Sequence, residues 1–224
     1  MLENKSLHIS YQIEEKSTEE SIKASTEFYE LMDKRRSVRF FSDKTVPEEV
    51  INNIIKTANT APSGAHKQPW TFCVISSKEL KHELREKAEI EERINYESRM
   101  SKTWKDDLAH LGTDDVKEFI DIAPWIIIVM RKPFDFDENG KKINNYYVNE
   151  SVGIASGILI AAIHNAGLVT LTHTPSPMGF ISKILDRPDN EKPYLLLPVG
   201  YPSKDCKVPN LKRKSLNDIA FYYR

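Results

Sequence analysis

Basic side chains are concentrated in two short segments of this sequence. Arg35, Arg36 and Arg39 surround Ser37, which places three guanidinium groups and a hydroxyl within five residues. Guanidinium groups bind phosphate oxygens in a bidentate manner, so this segment is suited to an anion. The same residues also suit a solvated helix end, and composition leaves both interpretations open. A second basic cluster, at 212–214, is able to contact the same anion.

The loop at 61–66 is a further place where the sequence offers ligand contacts. It has backbone N–H donors at Gly64 and Ala65 and a stiffening Pro62, so it is able to lie against a planar ligand. The chain contains only eight glycines and none of the common glycine-rich phosphate motifs. The arginines are therefore the predicted phosphate ligands.

Composition and motif content exclude several other kinds of site. The 32 Lys and Arg residues against 33 Asp and Glu residues give a net charge of -1, so we expect no nucleic acid and no anionic membrane as partner. The six histidines show no metal-ligand spacing, and no metal site is predicted. Cys73 and Cys206 are predicted to be free thiols in a reducing compartment, which favours the cytoplasm.

Apolar periodicity predicts helices and strands that alternate along one chain. Helices are predicted at 27–36, 47–59, 78–100, 114–122, 149–166 and 178–185, and strands at 70–75, 125–130, 168–172 and 194–199. The charged stretch at 78–100 is expected to be a mostly exposed helix or flap, and 134–142 to be a turn. The pattern indicates a single domain over 1–224, of the α/β or α+β class, with an N-terminal extension at about 1–23.

The apolar run at 152–171 is long enough for a membrane span. Its His164 and Asn165, followed by the helix-stopping Gly167, instead favour a buried helix. The N-terminal segment also lacks the order of a secretory signal, so no membrane association is expected.

The length of this apolar helix also predicts a homodimer. One chain of this size has a single core in which to bury such a helix on all sides, and a dimer core would cover the rest. Gly153 and Gly157 lie four residues apart and would let a partner helix approach closely. The same spacing also serves packing inside one subunit, and that interpretation stays open.

A longer series of ordered segments resembles one known family. The segments at 35–40, 60–66 and 68–70 resemble the nitroreductase superfamily of FMN-dependent homodimers. Within it, the chain is similar to the iodotyrosine deiodinase family from about residue 27 to residue 216. The other segments that carry the likeness are 95–96, Trp104, 123–124, 139–142, 146–147, 165–170, 197–203 and 211–214.

This resemblance implies an α+β, nitroreductase-like FMN-binding fold, in which a central mixed sheet is flanked by helices and an intertwined homodimer builds two FMN sites at its interface. The positions that match cofactor-binding residues are Arg35, Arg36, Ser37, Arg39, Ser63, Gly64, Thr172, His173, Thr174 and Arg213. The hydroxyl of Thr174 is implied to bind flavin N5 and to tune electron transfer, which makes Thr174 the predicted catalytic residue. Some family members carry threonine at the position of His173.

A lid region at 89–118 carries the residues that distinguish deiodinases from general nitroreductases. Glu92, Tyr96 and Lys117 match the trio that binds the amino-acid zwitterion of the substrate, and each charge of the zwitterion then meets its opposite. Glu92 and Tyr96 stand four apart on one predicted helix, and Lys117 is placed on the next helix. The backbone N–H of Ala65 matches the donor that holds the phenol oxygen.

The implied reaction is the FMN-dependent reductive removal of halogen from 3-iodotyrosine, 3,5-diiodotyrosine or other halotyrosines, by single-electron transfer from reduced FMN, giving tyrosine and halide. The implied electron donor is NAD(P)H, directly or through a reductase. Vertebrate deiodinases resemble this chain but carry an N-terminal membrane anchor that is absent here, so a soluble cytoplasmic form is expected. Two alternatives stay open: a general NAD(P)H-dependent FMN nitroreductase or quinone reductase, and a flavin- or halotyrosine-binding sensor without turnover.

Overall fold

The structure, a computed structural model, describes residues 8–224 and divides between Arg35 and Arg36 into two compact units. The first unit contains helix α1 (Thr18–Asp33). It begins at a capping box, because Ser17 Oγ accepts the Glu20 N–H at 3.2 Å and the Glu20 carboxylate accepts the Ser17 N–H at 2.8 Å. The helix therefore starts earlier than the predicted 27–36, and none of its side chains is buried.

Within the described residues, the second unit holds a four-stranded sheet, a hairpin and seven α-helices. The strands are β1 (Trp70–Ile75), β2 (Trp125–Arg131), β3 (Phe134–Phe136), β4 (Lys142–Asn144), β5 (Val169–Thr170) and β6 (Lys192–Gly200). The helices are α2 (Glu48–Ala58), α3 (Lys78–Ile94), α4 (Lys102–Ala109), α5 (Phe119–Ile122), α6 (Val148–Asn165), α7 (Gly179–Ile184) and α8 (Leu216–Ile219).

The strand order of the sheet is β1-β2-β6-β5, and every neighbouring pair is antiparallel. A parallel bridge between Ser37 and Thr170 adds to the β5 edge, so the sheet is mixed, as expected. The predicted turn at 134–142 is in fact the β3–β4 hairpin, which pairs antiparallel around the turn. Helices on a small central sheet confirm the predicted α+β class.

Strand β2 lies at the centre of the fold and is buried on both faces. Ile127 and Val129 pack into one core with α2 and α6, whereas Ile126, Ile128 and Met130 pack into the other core with α3, α5 and α7. Successive side chains of a strand point to opposite faces, so an unbroken apolar run fills both cores. The sheet is thereby held rigidly between two layers of helices.

Helix α3 differs from the exposed helix that its charge predicted. It buries Leu84 and Ala88, and also the charged Lys81 and Glu92, along one face. A single π-helical turn, Asn95–Arg99, follows it directly. The buried face was hidden in the sequence because two of its members are charged.

The helix predicted at 114–122 is also shorter than expected. The Asp114 carboxylate accepts the Val116 N–H at 3.0 Å, which holds a local turn, and α5 begins only at Phe119. Lys117 therefore lies in the loop before α5 and not on a helix. The separate helix α4, within the predicted lid region, was not predicted.

The helices of residues 8–224 include no segment with the length and apolarity needed to cross a membrane.

Candidate active site

Residues from distant parts of the second unit surround a cavity of about 200 Å³. Its walls come from the end of α3, the π-helical turn, α4, the loop before α5 and the segment after β5. The predicted site residues among them are Arg39, Glu92, Tyr96, Lys117, Thr172, His173 and Thr174. A larger cleft of about 760 Å³, lined by Lys81, Asp121 and Trp125, contains none of the predicted residues. The smaller cavity is therefore the candidate site.

Glu92 and Lys117 form a buried ion pair in the cavity wall. Lys117 Nζ lies 3.6 Å from Glu92 Oε2, and only 3% of the Lys117 side chain is exposed. The ammonium also donates a hydrogen bond to the carbonyl oxygen of Asp114. Burial raises the pKa of Glu92 and lowers the pKa of Lys117, and in each case the opposite charge of the partner counteracts that effect. Each charge thus depends on the other for its compensation.

Tyr96 stands beside this pair, in the π-helical turn. The turn is closed by the Met100 N–H, which donates to the Asn95 carbonyl five residues earlier. The Tyr96 hydroxyl donates to the carbonyl oxygen of Thr113 at 3.0 Å, and burial raises the pKa of the phenol. The side chains of Glu92 and Tyr96 both line the cavity, so the π-helical turn does not separate them.

Another part of the cavity wall combines Arg39 with the segment after β5, residues 171–176. The Val38 N–H donates to the Thr170 carbonyl at 3.1 Å, and Ser37 is bridged to Thr170 in parallel. This pairing brings Arg39 and Thr172 to the same cavity. Desolvation lowers the pKa of the half-buried Arg39.

The loop at 61–68 lies outside the cavity, and most of its backbone N–H groups have partners within the protein. The N–H groups of Gly64 and Gln68 donate to side-chain hydroxyls, and those of His66 and Lys67 donate to loop carbonyls. Within residues 8–224, the N–H groups of Ser63 and Ala65 have no hydrogen-bond partner, and of these two residues Ala65 is the exposed one. Ala65 also adopts a left-handed conformation, with φ 49°. The Ala65 N–H is thus an open donor at the surface of the loop.

Gly64 anchors this loop against the N-terminus of α6. A Cβ atom at Gly64 would lie 2.9 Å from the Tyr146 carbonyl oxygen and 2.9 Å from Tyr147 Cδ2. Main-chain atoms cannot move aside as a flexible side chain can, so only glycine fits this close approach.

The remaining predicted cofactor residues do not line the cavity. The Arg36 guanidinium donates to the carbonyl of Pro209, which ties the arginine segment to the C-terminal tail that carries Arg213. Ser37 and Arg213 are exposed, and Arg35 is the last residue of the first unit. Ser63 accepts the Gln68 N–H at 2.9 Å and stabilises the loop.

The chain is similar over most of its length to proteins of one family. The model of the nitroreductase family matches residues 32–201. The iodotyrosine deiodinase of Haliscomenobacter hydrossis is 55% identical over 92% of this chain and 92% of its own, and iodotyrosine deiodinase 1 of Homo sapiens is 51% identical over 95% of this chain and 74% of its own. The chain belongs to the nitroreductase family, among the iodotyrosine deiodinases. A crystal structure of oxidized iodotyrosine deiodinase bound to FMN and 3-iodo-L-tyrosine is also similar, with a TM-score of 0.77, 30% identity and coverage of 88% of this chain and 99% of that chain.

The cavity also contains residues that the sequence did not single out for this site. Its remaining lining residues are Asn95, Met100, Trp104, Leu108, Thr113, Phe119, Leu171 and Ser176. Asn95 is buried and donates to the Ser176 carbonyl at 2.8 Å, which ties the π-helical turn to the segment after β5. Trp104 was among the segments that carry the resemblance, but α4 was not predicted, so nothing placed Trp104 and Leu108 in the wall of the site.

In the candidate site, His173 is the ionisable group whose pKa lies furthest from its usual value. Burial, with smaller contributions from the charges of Lys117 and Arg39, lowers the pKa of His173 to about 3. Its Nε2 atom is buried and has no hydrogen-bond partner among the described residues, while its ring packs edge-on against Phe119 with centroids 5.5 Å apart. Its backbone is fixed by two 2.9 Å hydrogen bonds with Leu196. The imidazole is therefore neutral in the folded protein at physiological pH.

We expect His173→Thr to reduce the loss of stability in acid. The pKa of His173 is lower in the folded than in the unfolded chain, so its contribution to stability is fully present above about pH 6.5 and is lost as pH falls toward 3. The loss is about 1.4 kcal/mol per pH unit in that range. Urea unfolding between pH 6.5 and 4.5 should therefore show a smaller decline for the variant, by about 2–3 kcal/mol.

The matched control is His110→Thr, at an exposed histidine. This control should follow the wild-type profile. Parallel profiles for the wild type and His173→Thr would show that protonation of His173 does not govern acid stability.

Proposed function

We propose that this protein is an FMN-dependent iodotyrosine deiodinase that reductively removes halogen from halotyrosines. The observation that carries the proposal is the buried Glu92–Lys117 pair, which stands with Tyr96 in one cavity next to Thr172–Thr174. A general nitroreductase, acting on acceptors without a zwitterion, has no need of two buried opposite charges, which cost desolvation energy. The relatives described above are named for the same activity.

The residues present fit FMN. Arg36 and Arg39 supply cations for the phosphate and the ring edge, and the contact of Arg36 with Pro209 brings the tail of Arg213 toward them. The unpaired Ala65 N–H and the backbone at Gly64 offer a surface for a planar ligand. We assign cofactor binding to Arg35, Arg36, Ser37, Arg39, Ser63, Gly64, Thr172, His173, Thr174 and Arg213.

Each charged group of the Glu92–Lys117 pair binds the opposite charge of the substrate zwitterion in place of its protein partner. Its ammonium group binds the carboxylate of Glu92, and its carboxylate binds the ammonium of Lys117. The Tyr96 phenol covers the pair and excludes water. Because both protein charges are already desolvated, the substrate finds its counter-charges prepared, and little further desolvation of the protein is needed.

The substrate phenol is oriented by the N–H of Ala65. A hydrogen bond from this donor favours the ionised phenol and lowers its pKa. The reaction adds two electrons and one proton, breaks the carbon–halogen bond, forms a carbon–hydrogen bond and releases halide. FMN, when bound, would supply the two electrons, one at a time. The Thr174 hydroxyl is positioned by the rigid segment after β5 and would hold flavin N5.

We also propose that the chain works as a homodimer, with α6 at the interface. Ile154 of α6, a helix rich in apolar residues, is 46% exposed. Gly157 lies three residues later on the same face, and a Cβ atom there would meet nothing within 4 Å. The packing of the chain itself therefore does not require glycine at this position. A closely approaching helix of a second copy does.

Gly157→Arg is expected to convert the dimer to a monomer and to lower FMN content. Arginine has a higher helix propensity than glycine, and its Cβ atom would meet nothing within 4 Å, so the subunit should stay folded. Size-exclusion chromatography with light scattering and the visible flavin absorbance measure the two effects. Glu49→Arg, at an exposed position of α2, is the control and should stay dimeric. An unchanged dimer with full FMN content in Gly157→Arg would exclude α6 from the interface.

We propose NAD(P)H as electron source, directly or through a reductase, and a cytoplasmic location.

The decisive experiment for the function is anaerobic reduction of the FMN-loaded protein followed by addition of 3-iodotyrosine. A deiodinase reoxidises the flavin and releases one iodide per substrate consumed. A sensor would bind the ligand and leave the flavin reduced, and a general nitroreductase would reduce nitroaromatics but not iodotyrosine.

A further inference from the structure

We propose that Glu89 is a positioning residue for the substrate carboxylate, an inference that rests on the proposed function. Glu89 does not line the cavity, but its Oε1 atom accepts the backbone N–H of Lys117 at 2.7 Å. Lys117 lies in the loop before α5, where its N–H has no helical partner. Glu89 supplies that partner from another element.

Helix α3 consequently holds Lys117 at two points. Glu89 binds its main chain, and Glu92, one turn further along, faces its ammonium group at 3.6 Å. Residues three apart lie on the same helix face, so both carboxylates can contact Lys117. The two contacts restrict the Lys117 side chain before a ligand binds, so its ammonium loses less conformational entropy on binding.

Glu89 is itself fixed by a further ion pair. Arg85 Nε donates to Glu89 Oε1 at 2.7 Å, and Arg85 Nη1 donates to Asp121 Oδ2 at 2.9 Å. Asp121 belongs to α5. Helix α3 therefore contacts both Lys117, in the loop before α5, and Asp121, within α5. All three side chains are about one-fifth to one-quarter exposed, at 20% for Glu89, 23% for Arg85 and 26% for Asp121. The loop is thus held by side chains that do not line the cavity.

The test compares two ligands in FMN-loaded protein, 3-iodotyrosine and 2-iodophenol, by quenching of flavin fluorescence. Glu89→Met keeps the length of the side chain but removes the acceptor, and should weaken 3-iodotyrosine binding about fivefold to tenfold. Binding of 2-iodophenol, which has no carboxylate, should change by less than about twofold. Glu89→Gln keeps an oxygen that accepts the Lys117 N–H and should restore most of the affinity.

Glu83→Met, at an exposed glutamate of the same helix, is the matched control and should bind both ligands as the wild type does. If Glu89→Met does not fold, Glu89→Asp, which shortens the acceptor side chain, should still weaken 3-iodotyrosine selectively. Equal weakening of both ligands would indicate a general structural role and overturn the proposal, as would unchanged affinities. A wild type that binds FMN but not 3-iodotyrosine would overturn the proposed function as well.

Discussion

Lys117→Met is expected to lower the free energy of unfolding by about 3–5 kcal/mol at pH 8. The substitution leaves the buried Glu92 carboxylate without the cation that lies 3.6 Å away. The Glu92 carboxyl group avoids an unpaired buried charge when it takes up a proton. Burial favours this protonation because it already raises the pKa of Glu92. A folded-state pKa above the unfolded value gives stability at low pH that is lost as pH rises, so the deficit should be smaller at pH 5 than at pH 8.

Urea unfolding at the two pH values measures this effect. Lys87→Met, at an exposed lysine of α3, serves as control and should cost little at either pH. The double variant Glu92→Gln/Lys117→Met should recover part of the lost stability, since no unpaired charge is left in the cavity wall. A deficit that does not change with pH, or no recovery in the double variant, would show that the pair is not coupled as described.

Glu92→Gln is expected to weaken the binding of 3-iodotyrosine by tenfold or more, which is about 1.4 kcal/mol. The glutamine keeps the shape of the side chain but gives the substrate ammonium no counter-charge. Two analogues locate the effect on the substrate. The variant should lose affinity for iodotyramine, which has only the ammonium, and should bind the iodinated hydroxyphenylpropanoate, which has only the carboxylate, as well as the wild type does.

Flavin fluorescence titrations of both proteins supply these affinities. If Glu92→Gln binds 3-iodotyrosine and iodotyramine with wild-type affinity, Glu92 does not contact the ammonium. If it loses both analogues equally, the substitution has disturbed the cavity as a whole.

The central part of the fold was predictable from the sequence because its signals are local. The unbroken apolar run of β2 predicted a strand buried on both faces, and the structure confirms it at the sheet centre. Helix α6 was predicted within one residue at each end from its apolar length and from Gly167, which follows it. Such segments carry their structure in their own composition.

The lid region was harder to predict because its structure depends on contacts with the rest of the chain. The π-helical turn at Asn95–Arg99 has no periodic pattern of its own, and its Asn95 is held by the distant Ser176. Lys117 was placed on a helix, whereas a local turn at Asp114 and the carboxylate of Glu89 keep it in a loop. Only the family resemblance, and not spacing, indicated that Glu92 and Lys117 meet.

The loop at 61–68 shows a similar limit. Its composition predicted backbone donors at Gly64 and Ala65. The structure adds that the Gly64 N–H is taken by Ser151, which leaves the Ala65 N–H as the open donor. A positive φ at an alanine gives no sequence signal, so composition did not predict the left-handed conformation of Ala65.

The most direct measurement is a titration of the purified, FMN-loaded wild type with 3-iodotyrosine, followed by flavin fluorescence. We expect saturable quenching by 3-iodotyrosine, with weaker quenching by 2-iodophenol, which lacks the two charged groups. A protein that takes up no FMN, or whose flavin emission stays constant across the titration, would contradict the account that a buried acid and base hold a halogenated amino acid over the cofactor.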